Sequence, residues 1–442
     1  MFFKKIILNK EVGEMSLKSL GSIDVLDVSD GQYVLISENR INFISEIKQG
    51  SLKDVLCEEA NLIKSQEFKQ EEEVFVGPSI AFMPTLDCNL RCIYCYARGG
   101  DDKIYMDLSL ARMAIDNLVK SRKNHSQEIL SIYFVGGGEP FLNFGCMKDV
   151  CQYARKKFAD IEIILVSNGT FGKKQLEWLI KNNVAVRISF DGLFHEKQRP
   201  FASGKSSRKL VESNIRKLAQ SDVFLTVQLT ITGESVLAMS ESVRYIASLG
   251  VKYIKIEPVH YSVLARGEKE LVPEPEKYVE NFITTINLIL NNGLEVKIDN
   301  SIISRPTSGY YCGAGGGSNK TITPSGDITA CLEISRPGEK YSNVMMYGKC
   351  SPRGFMIDAS KRAFLDKLHF SNYEKCKVCN LKLICGGGCP MQGGWDNDNL
   401  LIPSEYNCSL HKLLLPKLFK MTFYNSSLLD IIFDNHTVEI GC

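Results

Sequence analysis

The chain has 442 residues, of which 44% are hydrophobic and 24% charged, and its 53 basic residues nearly balance its 51 acidic ones. These values are typical of a globular protein with two or three domains, and they argue against a disordered, collagen-like or coiled-coil chain. A net charge of +2 gives no reason to expect nucleic acid or a membrane surface as a partner. Because the sequence has neither a long apolar window nor a signal-peptide pattern, we expect a cytoplasmic protein.

Residues 1–75 are predicted to form a small α+β domain, in which short strands precede a helical segment. A charged stretch near residues 69–73 then leads into the next domain. From residue 76 to about 305, apolar β-branched runs alternate with segments of helical period. Six of these runs are predicted strands, at 79–86, 129–137, 161–169, 184–192, 223–231 and 251–259.

Near-continuous apolar strands separated by helices predict a parallel sheet covered by helices on its outer face. Six units are too few for a closed eight-fold barrel. The predicted fold class is therefore α/β, with a partial (β/α)6 TIM-like barrel whose chemistry lies at the carboxyl ends of the strands. Residues 306–415 lose the apolar period and become dense in glycine and cysteine, so we expect a loop-rich domain stabilised by metal ligation, followed by a tail at 416–442.

The fifteen cysteines favour metal binding or redox chemistry, because a reducing compartment does not support a disulfide framework. Three of them, Cys88, Cys92 and Cys95, lie within the eight residues "CNLRCIYC" directly after the first predicted barrel strand. A zinc site completed from elsewhere, unliganded buried thiols and an iron–sulfur cluster with an open iron are the alternatives. Four cysteines outside any ligand spacing are expected to be ordinary buried residues: Cys57, Cys146, Cys151 and Cys442.

Polar and glycine-rich stretches end the next three predicted strands. They are "GGGEP" (136–140), "SNG" (167–169) and "SFDG" (189–192), and "RPF" follows at 199–201. Glycines let the backbone approach a ligand, a glutamate accepts hydrogen bonds from an ammonium group, and an arginine pairs with a carboxylate. Each polar residue alone could be a turn or helix cap, but their repetition at consecutive strand ends favours a binding site.

The spacing CxxxCxxC at 88–95, with Tyr94 before the last cysteine, resembles the signature of the radical S-adenosylmethionine enzymes. "GGGEP" resembles their GGEP motif. The resemblance implies that S-adenosylmethionine occupies the open iron of a [4Fe–4S] cluster and is cleaved reductively to a 5′-deoxyadenosyl radical. The residues that it implies for binding S-adenosylmethionine are Tyr94, Gly136, Gly137, Gly138, Glu139, Pro140, Ser167, Asn168, Ser189, Asp191 and Arg199.

A second cysteine group has the pattern Cx13Gx4C, then Cx2Cx5Cx3C, then a final cysteine. A zinc ribbon is the simple alternative, but the whole pattern resembles the SPASM extension of radical S-adenosylmethionine enzymes, which carries two auxiliary [4Fe–4S] clusters and would make three clusters in all. The resemblance implies an outer cluster at Cys376, Cys379, Cys385 and Cys408, and an inner one at Cys312, Cys331 and Cys389. Cys350 or a substrate thiolate would complete the inner cluster.

Together these resemblances predict a peptide maturase that abstracts hydrogen from a ribosomally made precursor peptide and installs a crosslink, with a thioether as the leading hypothesis. Residues 1–75 weakly resemble winged-helix domains that bind a precursor's leader, and the expected electron donor is a flavodoxin or ferredoxin. The alternative is a sulfatase maturase forming formylglycine, although Leu332 stands where those relatives have an aspartate base and Glu333 is one place later.

Carbon–carbon crosslinking, epimerisation and excision also remain open. An iron–sulfur electron carrier and a zinc-binding interaction protein are the non-enzymatic alternatives. The sequence gives none of the six histidines a role and identifies no catalytic acid or base, although Tyr96, Tyr310 and Glu333 lie near cysteines along the chain.

Overall fold

The computed structural model describes residues 79–432 apart from 123–124, 263–268, 304–308 and 426, together with five strands in the first 44 residues. These strands are β1 (Lys4–Ile6), β2 (Ser19–Leu20), β3 (Ile23–Ser29), β4 (Gln32–Ile36) and β5 (Ile41–Ile44). They form one sheet in the order β1-β5-β4-β3-β2, in which β1 runs parallel to β5 and the other pairs are antiparallel. The helical segment and the charged linker predicted for this domain lie outside the described residues.

The predicted barrel is confirmed as an open parallel sheet. Its strands are β6 (Ser79–Phe82), β7 (Ile129–Phe134), β8 (Asp160–Ser167), β9 (Ala185–Ser189), β10 (Leu225–Ile231), β11 (Tyr253–Pro258) and β12 (Lys297–Asp299). Each strand pairs in parallel with the next one along the chain. All six predicted strands are present, and the sequence analysis did not predict the seventh, β12.

Helices follow the strands and cover the outer face of the sheet. Those of the barrel are α1 (Leu108–Lys120), α2 (Phe144–Ala154), α3 (Lys173–Lys181), α4 (His195–Gln198), α5 (Arg208–Ala219), α6 (Met239–Ser248) and α7 (Pro275–Asn292). Helix α1 illustrates how the sequence defines a helix start. The Asp107 side chain caps the helix by accepting a hydrogen bond from the Ser109 backbone N–H. Its buried residues, among them Ala111, Ile115 and Leu118, recur at helical spacing and face the sheet.

The two faces of each barrel strand have different neighbours. On β7, Leu130, Ile132 and Phe134 are buried in the main core between sheet and helices. The alternate residue Tyr133 faces the interior of the barrel, where it packs against a small cluster of Val135 and Ile164, as does Leu332 from the C-terminal region. The core therefore lies outside the sheet, and the interior is left to line a cavity.

The C-terminal region continues the same sheet through β13 (Thr321–Ile322), β14 (Asp327–Thr329), β15 (Met346–Ser351) and β16 (Gly354–Ile357). Strand β13 pairs in parallel with β6, and the later strands add to it antiparallel. The sheet has eleven strands that run from β12 to β16 without closing. How the chain divides into domains near residues 305 and 415 stays a prediction.

Short helices hold the cysteine-rich segment. The C-terminal helices are α8 (Ser342–Met345), α9 (Ala359–Asp366), α10 (Glu374–Lys377), α11 (Lys382–Cys385), α12 (Pro390–Asn397), α13 (Glu405–Tyr424) and α14 (Leu428–Ile432). None of the helices in the described part of the chain is long and apolar enough to cross a membrane.

Candidate active site

Protein contacts hold the loop that carries Cys88, Cys92 and Cys95. Arg91 Nη1 donates to the Cys88 carbonyl at 2.8 Å, and its Nη2 donates to the Gly100 carbonyl at 2.8 Å, so one guanidinium clamps both ends of the loop. A Cβ on Gly138 would lie 1.8 Å from the Asp87 carbonyl oxygen, so only glycine allows the loop after β7 to pack here.

Two of the three sulfur atoms receive a hydrogen bond from the barrel. Asn168 Nδ2 donates to Cys88 Sγ and Arg199 Nη1 donates to Cys92 Sγ, both at 3.8 Å. Burial raises the pKa of the Cys88 thiol to about 12 and that of Cys92 to about 11. The free thiols are therefore neutral at physiological pH, and bonding to a metal would convert them to thiolates.

Glu139, the acid of "GGGEP", is 4% exposed and lies at the carboxyl end of β7. It accepts hydrogen bonds from Ser167 Oγ at 2.8 Å, from the Asn168 N–H at 2.7 Å and from the Phe141 N–H at 3.2 Å. Burial raises the pKa of Glu139 to about 7, although these hydrogen bonds oppose the shift. A carboxylate can accept about four hydrogen bonds, so Glu139 retains capacity for an ammonium group.

Nine of the eleven residues predicted to bind S-adenosylmethionine line one cavity, and Pro140 and Asp191 do not. Pro140 begins a buried 3-10 turn after Glu139. The Asp191 carboxylate, predicted to meet a ligand, is fully buried and instead binds Arg199, Tyr94, Gln198 and the Thr230 N–H. Its isolation from the cavity follows from pairing with Arg199, because a buried carboxylate needs a charged partner.

The cavity has a volume of about 960 Å³ and occupies the barrel interior up to the cysteine loop. Its wall is apolar along β6–β8, where Tyr133, Val135 and Val166 face inward. Along β11 and β12 the wall is charged, since Lys255 Nζ lies 3.4 Å from both a Glu257 and an Asp299 carboxylate oxygen. One side of the cavity therefore suits apolar groups and the other suits polar ones.

The C-terminal cysteines fall into two sets. Cys312, Cys331 and Cys389 line the same cavity as Cys88, Cys92 and Cys95, and the other predicted ligands do not. Burial and, after it, the neighbouring thiols of Cys385, Cys408 and Cys379 together raise the pKa of Cys376 to about 12, which indicates that these four thiols lie near one another. The assignment of these two sets to an inner and an outer cluster stays a prediction.

No set of three or more His, Cys, Asp or Glu side chains in the described part of the chain is arranged around a single metal ion. A zinc site would need such an arrangement. A [4Fe–4S] cluster does not, because each cysteine binds a different iron. Sets of three or four cysteine thiols are the donor chemistry that iron–sulfur clusters use.

Cys350 lies apart from both sets. It is 5% exposed on β15, its sulfur accepts a hydrogen bond from Asn117 Nδ2 of α1 at 3.4 Å, and it does not line the cavity. The structure therefore places it in the core and not beside Cys312, Cys331 and Cys389.

The sequence analysis gave no histidine a role, yet His260 lines the cavity together with Glu333. His260 Nε2 lies 2.9 Å from Glu333 Oε1, and Trp395 Nε1 donates to Glu333 Oε2 at 2.9 Å. Burial alone would lower the pKa of His260, but the Glu333 carboxylate outweighs burial and the pKa is raised. Its position in the sequence could have identified His260 as a candidate, because it follows β11 at the carboxyl end of the barrel.

Comparison with known proteins places this geometry in a family. Residues 82–246 match the model of the Radical SAM superfamily. The chain is 21% identical to the cysteine-type anaerobic sulfatase-maturating enzyme of Clostridium perfringens (strain ATCC 13124), over 74% of this chain and 91% of that protein.

Two solved structures share the fold. One is native anSMEcpe with bound AdoMet and Cp18Cys peptide, with a TM-score of 0.63, 19% identity and coverage of 80% of this chain and 98% of that one. The other is Streptococcus suis SuiB bound to precursor peptide SuiA, with a TM-score of 0.54, 11% identity and coverage of 87% and 98%.

An open parallel sheet, a three-cysteine loop at its carboxyl end and the family match define a radical SAM enzyme. The chain carries a radical SAM domain and uses S-adenosylmethionine with a [4Fe–4S] cluster. Among enzymes of this class, it is related to the anaerobic sulfatase maturases and similar in fold to SuiB.

Proposed function

We propose that this enzyme modifies a ribosomally made precursor peptide by abstracting a hydrogen atom from one residue and installing a crosslink, a thioether in the leading case. The observation that carries the proposal is the shared cavity, which is lined by Cys88, Cys92 and Cys95 and also by the cavity-facing C-terminal cysteines. A substrate held there would lie between the two cysteine sets. The related structures with bound peptides support a peptide as the substrate.

Cys88, Cys92 and Cys95 would hold the cluster that binds S-adenosylmethionine, which supplies the 5′-deoxyadenosyl radical for hydrogen abstraction. The residues around it have separate tasks. Glu139 would accept hydrogen bonds from the amino group, and Ser167, Asn168 and Ser189 would meet the ribose.

The C-terminal cysteines would hold two auxiliary clusters. The outer one has a full set of four in Cys376, Cys379, Cys385 and Cys408. The inner one has three, and the core position of Cys350 favours an iron left open to a substrate thiolate. An open iron would bring the sulfur of a peptide cysteine into the cavity, as thioether formation requires.

The leader of the precursor would bind residues 1–75, by addition of a strand to a sheet edge. A flavodoxin or ferredoxin would donate electrons. Both assignments extend the peptide proposal and are separable from the chemistry in the cavity.

A sulfatase maturase forming formylglycine is the second candidate. The C. perfringens relative spans most of this chain, and the Glu333 carboxylate lines the cavity although Leu332 occupies the position next to Cys331. Glu333 therefore supplies a carboxylate near the inner cysteines, although it stands one position later than the aspartate of those relatives.

Mass spectrometry of a treated peptide decides between the two candidates. Anaerobically reconstituted enzyme, reductant and S-adenosylmethionine are incubated with the peptide encoded beside the gene and, separately, with a cysteine-containing sulfatase peptide. A thioether shows as loss of two hydrogens together with loss of one free thiol. Formylglycine shows as replacement of the cysteine sulfur by oxygen together with loss of two hydrogens.

The matched controls are Cys331→Ala and Cys350→Ala. We expect Cys331→Ala to abolish peptide modification, because it removes a cavity ligand, and Cys350→Ala to preserve it. Absence of 5′-deoxyadenosine with wild-type enzyme would overturn the proposed chemistry, and modification of the sulfatase peptide alone would replace the leading candidate with the second.

A further inference from the structure

The Arg199 guanidinium lies against the sulfur of Cys92 and is 7% exposed. Its Nη1 donates to Cys92 Sγ at 3.8 Å, and its Nη2 donates to Thr230 Oγ1 at 3.2 Å. Its central carbon lies 5.2 Å from the centroid of the Tyr94 ring. The arginine is therefore fixed by the protein and directed at a cluster ligand.

Asp191 holds this arginine in place. Arg199 Nε donates to Asp191 Oδ2 at 2.9 Å, and the carboxylate has no exposed surface. Gln198 Nε2 donates to the same oxygen at 2.8 Å, and the Thr230 N–H donates to Oδ1 at 3.1 Å. Because Asp191 is anchored to the backbone of β10, it keeps the guanidinium from rotating away from Cys92.

The three cysteines are not treated alike. Cys88 Sγ accepts from the neutral amide of Asn168 at 3.8 Å, whereas Cys92 Sγ accepts from a cation at the same distance. A hydrogen bond from a charged donor is roughly twice as strong as a neutral one. Of these two sulfur atoms, Cys92 therefore receives the hydrogen bond from the charged donor.

We propose that the Asp191–Arg199 ion pair sets the reduction potential of the cluster held by Cys88, Cys92 and Cys95. Arg199 acts on the sulfur of Cys92, and Asp191 is a positioning residue that acts through Arg199. Reduction adds a negative charge to the cluster, so a nearby cation favours the reduced form and a nearby anion opposes it. This inference rests on the proposed assignment of the cluster to these three cysteines.

Substituting the two partners one at a time gives opposite effects. Arg199→Gln removes the cation and leaves the Asp191 carboxylate, so we expect the equilibrium constant for one-electron reduction to fall about tenfold, equal to about 59 mV. Asp191→Asn leaves the cation without its counterion and shifts the potential upward. The double variant loses a neutral pair and returns toward the wild-type value.

The measurement is an EPR-monitored potentiometric titration of the full-length holoenzyme without S-adenosylmethionine. The signal that changes when S-adenosylmethionine is added afterwards identifies the cluster at Cys92 among any others. Arg208→Gln is the matched control, because Arg208 Nε lies 2.6 Å from Glu212 and its central carbon lies 4.9 Å from the Tyr245 ring centroid. Arg208 has a carboxylate and an aromatic ring as partners, as Arg199 does, but it contacts no cluster cysteine. The reduction potential of the cluster in Arg208→Gln should therefore stay at the wild-type value.

Three results would overturn the inference. An unchanged potential in Arg199→Gln, with weakened binding of S-adenosylmethionine, would mean that the arginine serves only the ligand. Shifts of the same sign in Arg199→Gln and Asp191→Asn would indicate a merely structural role. If Arg199→Gln does not retain its cluster, Asp191→Asn decides instead: an upward shift supports the inference, and an unchanged or lowered potential refutes it.

Failure of the proposed function has a separate signature. Wild-type enzyme that shows no EPR signal responsive to S-adenosylmethionine would remove the cluster assignment itself. A responsive signal whose potential is insensitive to both substitutions leaves the proposed function intact and removes only the role of the ion pair.

Discussion

The two cysteine regions are built in different ways. The first keeps Cys88, Cys92 and Cys95 on one loop, which Arg91 clamps and the barrel contacts through side-chain donors. The second spreads its cysteines from residue 312 to 408 over four-residue helices, turns and the start of the long helix α13, and it includes three consecutive glycines at 386–388 with positive φ. We therefore expect the first site to keep its shape without a metal and the second to depend on a metal for its shape.

The largest expected effects come from removing one cysteine in each region. Cys92→Ala should abolish 5′-deoxyadenosine formation while the pattern of limited proteolysis stays as in the wild type, because the loop is held by other contacts. Cys376→Ala should retain 5′-deoxyadenosine formation without peptide, but it should lower the thermal unfolding temperature and open residues 370–408 to proteases. Anaerobic thermal scans, product analysis and protease mapping measure these outcomes.

Cys146→Ala is the matched control for both variants, since Cys146 is buried on α2 and outside either set. It should leave iron content and product formation unchanged. If Cys92→Ala opens the barrel loop to proteases as readily as Cys376→Ala opens the C-terminal segment, the expected difference between the two regions is wrong.

A smaller effect tests the protein scaffold beneath the first site. His195 has no exposed surface, its Nε2 lies 2.9 Å from Ser207 Oγ, and its Nδ1 accepts from the Asp191 N–H at 3.3 Å. Burial lowers the pKa of His195 to about 3. The unfolded chain binds a proton below about pH 6.5 and the folded chain does not, so stability is lost as pH falls from about 6.5 toward 3.

The slope of this loss is up to about 1.4 kcal/mol per pH unit for one histidine. Urea unfolding midpoints between pH 7 and pH 5 should fall less steeply in His195→Gln than in the wild type. His369→Gln serves as the control, because His369 lies in the C-terminal segment rather than beneath the first site. Equal slopes in wild type and His195→Gln would show that the buried imidazole does not support the first loop.

The smallest effect concerns Cys350. Cys350→Ala removes one buried sulfur from the core, so we expect the free energy of unfolding to fall by about 1–2 kcal/mol. Iron and sulfide content should match the wild type, in contrast to Cys331→Ala, which should lose iron. Loss of cluster iron in Cys350→Ala would make it a ligand and end the proposal of an open inner iron.

The sequence predicts local features of this chain well and long-range ones poorly. The six barrel strands are long apolar runs bounded by turn residues, so their pattern is visible in a short window. Strand β12 has only three residues, and β13 and β14 are as short, so their pairing depends on neighbours far along the chain. Such strands carry too little periodicity to be recognised.

The candidate site shows the same limit. Motif spacing identified the six cysteines and nine other residues that line the cavity, but it could not show that Asp191 faces Arg199 and not the cavity. Nor could it pair His260 with Glu333, which lie 73 positions apart. The orientation of a carboxylate at the end of a strand depends on which cation lies next to it. The identity of that cation is fixed only when the chain has folded.

The parallel pairing of β13 with β6 bears on how this enzyme can be dissected. Thr321 and Ile322 lie beside Ala81 and Phe82, and the Met83 N–H donates to the Ile322 carbonyl at 2.9 Å. A fragment cut near residue 305 would leave the hydrogen-bonding groups of β6 bare, a few residues before Cys88, and bare strand edges promote aggregation. A chimera with a relative therefore has to keep residues 321–322 together with the barrel. The cysteine loop follows β6 directly, and β6 pairs on one side with a strand of the C-terminal region.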